Sequence, residues 1–521
     1  MRMLLAAALL AGLAAPAQPG GKRTQDLGPG AARCASLAGA GTPRVAILSA
    51  TRVPAGSFAA APGLRLPVPG SCRLTAIARP TRDSEIGFEL WLPDEWSGRY
   101  VQLGNGGFAG NIDHPSLASE IRRGNAAAMT DTGHKADQFD ASWALGHPQK
   151  IVDYGYRSIK ATADAAHRLM RLYYGRAAAR RYFVGCSNGG RQALMAAELY
   201  PGDWDGILAG SPAVGWTEQL AAFAAIQHRL RSDPRNWIPA QGLASIEQLA
   251  RASCAPGQVR CKVDVRRLKC SGESGGHCLS PAQAATLELI QSGPAPRPGG
   301  LATGFDPRWA AVPGNWDRWI LNRDSRAPSD LAFATQAFRY LILDRPGWSI
   351  GDFDPARDFA RASDRPVAGR RLADVLDAAN PDLRRFAARG GKIILYVGLA
   401  DAVLSPFAGI AYYRNVAARM GGTARAQLFF RLFVVPGMEH CQAGPAPNAF
   451  GQAWIAPAAS PDPRHDVRLA LQAWVERDLA PAALVAAGDA GPGGRPQATR
   501  QLRPYPARPG PITRARPPRP R

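Results

Sequence analysis

The sequence predicts an α/β fold, in which helices cover both faces of a mostly parallel sheet and a large domain is inserted. Two regions, 181–200 and 390–441, alternate short apolar stretches with helical patterns. Such alternation is typical of parallel sheets, because parallel neighbours are joined by crossover helices. The region between them, 216–370, loses this alternation and carries four cysteines and many prolines, which indicates an insertion between two strands.

The first 17 residues have the three parts of a cleaved secretory signal. Arg2 precedes an apolar run from Met3 to Leu13, and Ala15-Pro16-Ala17 supplies the small residues of a cleavage site. This run is too short to span a bilayer and no later segment of the sequence is long enough, so no membrane span is predicted. We therefore expect a secreted or periplasmic protein.

Strands and helices can be placed before the insertion. Strands are predicted within 85–96 and 99–110, the second running into the glycine-rich turn GNGGFAG. Apolar residues recur at helical spacing over 156–174. A strand at 181–185 then meets a tight turn, and the helix that follows ends before Pro201.

The same alternation returns after the insertion. An apolar strand within 390–401 ends in an aspartate, a helix at 408–422 is closed by glycine, and a strand within 426–441 ends in a histidine. The last residues are rich in glycine, proline and arginine and lack the apolar side chains to fold. The predicted parts are a signal peptide, a discontinuous catalytic domain, an inserted lid domain and a disordered tail: 1–17, 18–215 with 371–486, 216–370, and 487–521.

The formal net charge of +22 does not by itself indicate nucleic-acid binding. Arginine is scattered along the chain, and no recognition helix, RNA-binding signature or zinc finger accompanies it. We therefore predict no nucleic-acid partner. A weak association with anionic surfaces, reduced by salt, is the more plausible consequence of this charge.

Eight cysteines are compatible with four disulfides in an exported protein, although eight cysteines permit 105 pairings. Metal binding is the alternative. It is the weaker one, because no C-x-x-C pair or clustered His-Cys spacing occurs. No metal site is predicted.

Ser187 is the candidate nucleophile. It occupies the centre of Gly185-Cys186-Ser187-Asn188-Gly189, a G-x-S-x-G turn between a strand and a helix. The glycines permit the sharp turn that exposes such a serine. The alternative is a serine that only caps the following helix.

Acyl transfer by serine also needs a base and a carboxylate that orients it. His440 and Asp401 each follow a predicted strand, and open α/β sheets place their sites at these strand ends. If Cys186 and Cys441 are bonded, their Cα atoms lie about 5–6 Å apart, which brings Ser187 and His440 together. The alternatives are a histidine satisfied in a surface loop and an aspartate that caps a helix.

Two backbone N–H groups are candidates for an oxyanion hole. The N–H of Asn188 directly follows the nucleophile, and the turn 104–110 offers Gly107 as the second donor. The alternative for this turn is a purely structural role. The polar turn DTGH (131–134) is assigned no chemistry.

At these residues the sequence resembles the tannase and feruloyl esterase family of serine hydrolases. The Cys-Ser, Asp and His-Cys set of that family is matched by Cys186-Ser187, Asp401 and His440-Cys441, and GNGGFAG, WDGILAGSPA and VVPGMEHC match as well. The resemblance implies an α/β-hydrolase domain with a large lid. It also implies an esterase whose small-molecule partner is an aromatic ester, feruloyl, galloyl or related. We predict no cofactor. The further disulfides that it implies are Cys34–Cys72, Cys254–Cys261 and Cys270–Cys278.

The lid departs from the family pattern in one loop. Family lids carry an aspartate-rich calcium loop between two bonded cysteines, whereas SCAPGQVRC (253–261) contains no acidic residue. We therefore predict that this calcium site is absent. Two other functions stay open, a non-catalytic secreted binding protein on a hydrolase scaffold and a hydrolase of non-aromatic esters or peptides.

Overall fold

A computed structural model describes residues 30–514, except 256, 272–276, 295–299, 302, 323–328 and 490–495. The predicted signal peptide, 1–17, lies outside the described residues. The strands are β1 (Val45–Val53), β2 (Gly56–Ala61), β3 (Leu64–Val68), β4 (Ser71–Ala78), β5 (Ile86–Pro93), β6 (Arg99–Leu103), β7 (Ala126–Thr130), β8 (Arg180–Cys186), β9 (Gly206–Gly210), β10 (Pro366–Val367), β11 (Arg370–Arg371), β12 (Lys392–Gly398), β13 (Phe430–Val435), β14 (Leu484–Ala487), β15 (Ala498–Leu502) and β16 (Ile512–Arg514).

The helices surround a central sheet. They are α1 (Gly30–Ser36), α2 (His114–Arg122), α3 (Pro148–Val152), α4 (Ser158–Tyr174), α5 (Asn188–Leu199), α6 (Trp216–Ser232), α7 (Ala240–Ser253), α8 (Pro281–Ser292), α9 (Trp316–Trp319), α10 (Asp330–Gln336), α11 (Pro355–Asp364), α12 (Leu372–Leu376), α13 (Arg384–Ala388), α14 (Pro406–Arg419), α15 (Thr423–Ala426) and α16 (Val467–Arg477). None of the helices in the described ranges is long and apolar enough to cross a membrane.

The central sheet has nine strands in the order β1-β4-β5-β7-β6-β8-β9-β12-β13. The neighbours from β7 to β13 run parallel, and the three pairs that join β1, β4, β5 and β7 run antiparallel. The prediction of a mostly parallel sheet is therefore confirmed. Within the antiparallel edge, β4 and β5 follow one another through a short connection, as antiparallel pairing allows.

Both faces of the sheet are covered by helices. In β12, Ile393, Leu395 and Val397 pack into one apolar cluster and Ile394 and Tyr396 into another, because successive side chains of a strand point to opposite faces. Helices α4, α5 and α14 contribute to the first cluster, and α2 and α16 contribute to the second. The strands whose ends carry the candidate site residues are thus packed between two apolar clusters, one on each face of the sheet.

The chain between β9 and β12 leaves the sheet. Its described residues are mainly helical, with the short ribbon β10–β11, and many of them share a third apolar cluster. That cluster also contains Phe108 and Val403, which lie on loops at the ends of sheet strands. The predicted lid, residues 216–370 (here called the lid), therefore packs against the site.

The predicted disordered tail is wrong for residues 496–514. Strand β15 pairs antiparallel with β14, and β16 pairs with β15. Leu502 is fully buried, and the ring of Tyr505 packs edge-on against Tyr413 with centroids 6.0 Å apart. Composition alone misled the prediction, since a glycine- and arginine-rich segment becomes ordered when an existing strand edge accepts its backbone.

Candidate active site

Ser187 lies on a sharp turn between β8 and α5. Its backbone has φ 63° and ψ −128°, a conformation that residues with a side chain rarely adopt. The turn is fixed by two hydrogen bonds, from the Ser187 amide to the Gly210 carbonyl (2.9 Å) and from the Arg191 amide to the Ser187 carbonyl (3.0 Å). This is the strained strand–turn–helix elbow that presents a serine hydroxyl.

Glycine is required at both ends of the G-x-S-x-G turn. A Cβ on Gly185 would lie 2.4 Å from the backbone of Gly189. A Cβ on Gly189 would lie 3.0 Å from the carbonyl carbon of Gly104. The elbow therefore touches the 104–110 turn backbone to backbone, and any larger residue would separate them.

His440 and Asp401 form a hydrogen-bonded pair. His440 Nδ1 lies 2.8 Å from Asp401 Oδ2, and the other carboxylate oxygen accepts the amides of Val403 and Leu404 at 2.9 Å each. Asp401 is only 2% exposed. Since a carboxylate can only accept, Nδ1 carries the proton and Nε2 keeps its lone pair. The structure thus brings together the predicted base and its orienting acid.

The disulfide Cys186–Cys441 joins the elbow to the histidine loop, with 5.9 Å between its Cα atoms. Ser187 directly follows Cys186, and His440 directly precedes Cys441. Both Ser187 and His440 line one cavity of about 410 Å³. The other three predicted pairs also form, as Cys34–Cys72, Cys254–Cys261 and Cys270–Cys278. The disulfide predictions are confirmed.

The 104–110 turn borders the same cavity. Gly106 and Gly107 both line it, and neither amide has an acceptor among the described residues. Gly107 has φ 51°, and a Cβ there would lie 2.2 Å from the Gln138 carbonyl oxygen. Asn188 is the first residue of α5, so its N–H has no acceptor within the helix. The Gly106 amide is thus a second candidate from this turn, and a run of glycines does not indicate which amide would serve.

Arg191 connects the two sources of these N–H groups. It is fully buried, and its Nε donates to Asn188 Oδ1 at 2.8 Å. Its Nη2 donates to the carbonyl of Tyr154 at 3.1 Å, and the Tyr154 hydroxyl donates to the carbonyl of Gly107 at 3.0 Å. No sequence pattern indicates this link, because an arginine on a helix is usually a surface residue.

The DTGH turn, for which the sequence predicts no catalytic role, supports the 104–110 turn. His134 Nε2 lies 2.8 Å from the Phe108 carbonyl, and its ring stacks on Trp143 with centroids 3.9 Å apart. The Phe108 amide donates to the Gln138 carbonyl at 2.7 Å. These contacts fix the turn from outside the cavity.

The walls of the cavity carry aromatic side chains from three parts of the chain. Phe139 comes from the loop after the DTGH turn, Trp319 and Phe333 from the lid, and Trp454 from the loop after His440. Most other lid tryptophans, such as Trp316 and Trp348, are core residues. No local pattern distinguishes wall residues from core residues, since both are apolar positions in helices or loops.

Comparison with known proteins gives a consistent result. The family model of tannase and feruloyl esterase matches residues 72–514. An uncharacterized esterase of Xanthomonas campestris pv. campestris is 42% identical over 484 residues, covering 88% of this chain and 84% of the relative. The mono(2-hydroxyethyl) terephthalate hydrolase of Piscinibacter sakaiensis is 30% identical over 498 residues, covering 81% and 78%.

Comparison with solved structures supports the same family. The crystal structure of feruloyl esterase B from Aspergillus oryzae superposes with a TM-score of 0.81 at 25% identity, covering 92% of this chain and 96% of that one. Tannin acyl hydrolase from Aspergillus niger shares the fold, with a TM-score of 0.67 at 20% identity, covering 91% and 92%. The chain therefore belongs to the tannase and feruloyl esterase family, has the α/β-hydrolase fold and is a carboxylic ester hydrolase.

Proposed function

We propose that the enzyme is exported and hydrolyses esters of phenolic or aromatic acids through an acyl-enzyme on Ser187. The observation that carries the proposal is the joining of the serine elbow to the His440–Asp401 pair at one aromatic-walled cavity. A serine that only capped a helix would have no need of this arrangement.

In acylation, His440 Nε2 takes the proton of the Ser187 hydroxyl while Oγ attacks the ester carbonyl. The tetrahedral intermediate then collapses, the bond from carbonyl carbon to alcohol oxygen breaks, and His440 returns the proton to the departing alcohol. In deacylation, water gives a proton to His440 and attacks the acyl-enzyme, and collapse releases the acid and restores Ser187. Asp401 stays ionised and holds the ring in the orientation that leaves Nε2 facing the serine.

The N–H groups of Asn188 and Gly107 stabilise the negative oxygen of both intermediates. A single donor of this kind contributes about 10²–10³-fold to kcat in serine hydrolases. Because both donors belong to backbone fixed by Arg191, Tyr154 and Gln138, they need no reorganisation during the reaction.

The aromatic acyl group is supported by the apolar wall from Phe139, Trp319 and Phe333. A flat ring buried against aromatic side chains gains both area burial and stacking. The names of the relatives point the same way, since they refer to feruloyl and terephthalate esters.

Export is supported by the disulfides. Four disulfides with no free cysteine in the described part of the chain are typical of proteins from oxidising compartments. The signal-like pattern of residues 1–17 agrees with this.

The test is hydrolysis of methyl gallate, methyl ferulate, an aromatic diacid monoester and a short aliphatic ester. Wild type should cleave at least one aromatic ester faster than the aliphatic one, and Ser187→Ala should abolish that turnover. Ser116→Ala is the matched control, because Ser116 lines the same cavity but bonds to Asp113. Retained turnover in Ser187→Ala, or cleavage of the aliphatic ester alone, would contradict the proposal.

A further inference from the structure

A tight turn stands at the mouth of the cavity. The amide of Ala456 donates to the carbonyl of Ala453 at 3.1 Å, which places Trp454 and Ile455 at the two central positions. These side chains are 46% and 50% exposed. Central turn positions are usually taken by glycine, proline, asparagine, aspartate or serine. Two large, exposed apolar residues at these positions therefore depart from the usual composition of a turn.

The base of this turn is anchored. Gln452 is only 4% exposed, and its side chain accepts the amide of Phe450 and donates to the carbonyl of Asn448, both at 2.8 Å. The amide of Gly451 donates to the carbonyl of Ala456 at 3.1 Å. The two apolar side chains are thus presented by a fixed support, and a side chain that breaks local preference at such a place is usually functional.

The turn lies on the histidine side of the cavity. Gln452 Nε2 lies 3.9 Å from the sulfur of Met438, two residues before His440. Cys441 and Gln442 line the cavity together with Trp454 and Ile455. In acylation the histidine returns its proton to the departing alcohol, so the alcohol leaves beside His440.

From this placement we infer that Trp454 and Ile455 form a binding subsite for the alcohol part of the ester, and that this subsite prefers an alcohol carrying a flat apolar ring. The inference rests on the proposed function, because it takes His440 as the group that protonates the alcohol. An exposed indole beside an isoleucine offers a ring-sized apolar surface at which a bound ring replaces water.

The test compares two esters of one acid, the methyl and the benzyl ester, using the acid that wild type releases fastest. Wild type should show the higher kcat/KM for the benzyl ester. Trp454→Ala should lower kcat/KM for the benzyl ester about tenfold, the effect of losing about 55 Å² of apolar contact. The methyl ester should stay within about twofold, since it does not reach the turn, and Trp454→Phe should restore most of the benzyl preference.

Two controls make the result specific. Ile455→Ala should reproduce the selective loss, whereas Leu479→Ala, which removes another exposed apolar side chain (57%) that does not line the cavity, should change neither ester. Equal losses for both esters in Trp454→Ala, or no loss for the benzyl ester, would overturn the inference. Failure of the proposed function is seen separately, as turnover that survives in Ser187→Ala.

Discussion

Removing the disulfide between the serine and histidine loops should impair catalysis as well as stability, whereas removing a disulfide remote from the site should impair stability alone. The perturbation is Cys186→Ala together with Cys441→Ala. The bond closes a loop with a sequence separation of 255 residues, for which the chain-entropy model gives about 5.5 kcal/mol of stabilisation. The same model gives about 3.9 kcal/mol for Cys34–Cys72, with a separation of 38. By loop entropy alone, removing either bond should lower the free energy of unfolding by several kcal/mol, and more for Cys186–Cys441.

Their effects on the active site differ. Ser187 and Cys441 both have positive φ, 63° and 67°, and each such residue costs about 1–3 kcal/mol that the surroundings must offset. Cutting the bond releases one of the restraints at both positions, so the serine and histidine loops can relax apart. A displacement of about 1 Å between reacting groups can cost about 100-fold in rate.

We therefore expect kcat/KM to fall about 100-fold in the Cys186→Ala, Cys441→Ala variant at a temperature where the protein stays folded. The assay is hydrolysis of the best ester of the panel, with thermal unfolding followed in parallel. The control is Cys34→Ala with Cys72→Ala, which should lose stability and keep its activity. A double variant that is folded and within about threefold of wild type would refute the reasoning, because a displaced triad cannot remain so active.

Three further predictions concern the surroundings of the site. Tyr154→Phe, which removes the hydrogen bond to the 104–110 turn, should lower kcat about tenfold with little change in KM, whereas Tyr413→Phe, at a tyrosine outside the cavity, should change neither. Burial raises the pKa of Asp131 to about 7, so the folded protein binds the extra proton. Its contribution to the protein's free energy of unfolding should therefore fall by about 1.4 kcal/mol per unit as pH rises from about pH 4 to pH 7, and Asp131→Asn should change the measured pH slope by this amount in urea titrations. Because the loop 253–261 has no acidic residue, EDTA should leave Tm unchanged within about 1 °C, and a larger loss would indicate a bound cation.

The candidate site residues could be predicted from the sequence where their arrangement depends on residues adjacent in the chain. The elbow around Ser187 was predictable because strand, glycine turn and helix are all local. His440 was predictable because the adjacent Cys441 suggested a partner for Cys186, and a disulfide converts a long sequence separation into a short distance. Asp401 followed from its place at the end of an apolar strand, a position that the sheet brings to the same edge.

The rest depends on contacts that no local pattern records. The buried Arg191 looks like any helical arginine until Asn188 and Tyr154 surround it. Residues 496–514 look disordered until β14 accepts their backbone. In both cases the conformation is determined by a contact with a residue remote in sequence, and no local sequence pattern records that contact.

The same distinction explains why the reaction was easier to predict than the substrate. The groups that make and break the ester bond sit at ends of sheet strands, whose positions the fold fixes. The walls that we propose to contact the acid and the alcohol come from the loop after the DTGH turn, from the lid and from the loop after His440, and loops of this kind are free to vary. Trp454 and Ile455 are large exposed apolar residues at positions where turns usually carry small or polar ones, and this is visible only once the turn is known. Residues that determine substrate preference are therefore best sought at the edge of the catalytic site, where a residue type is unusual for its local backbone conformation.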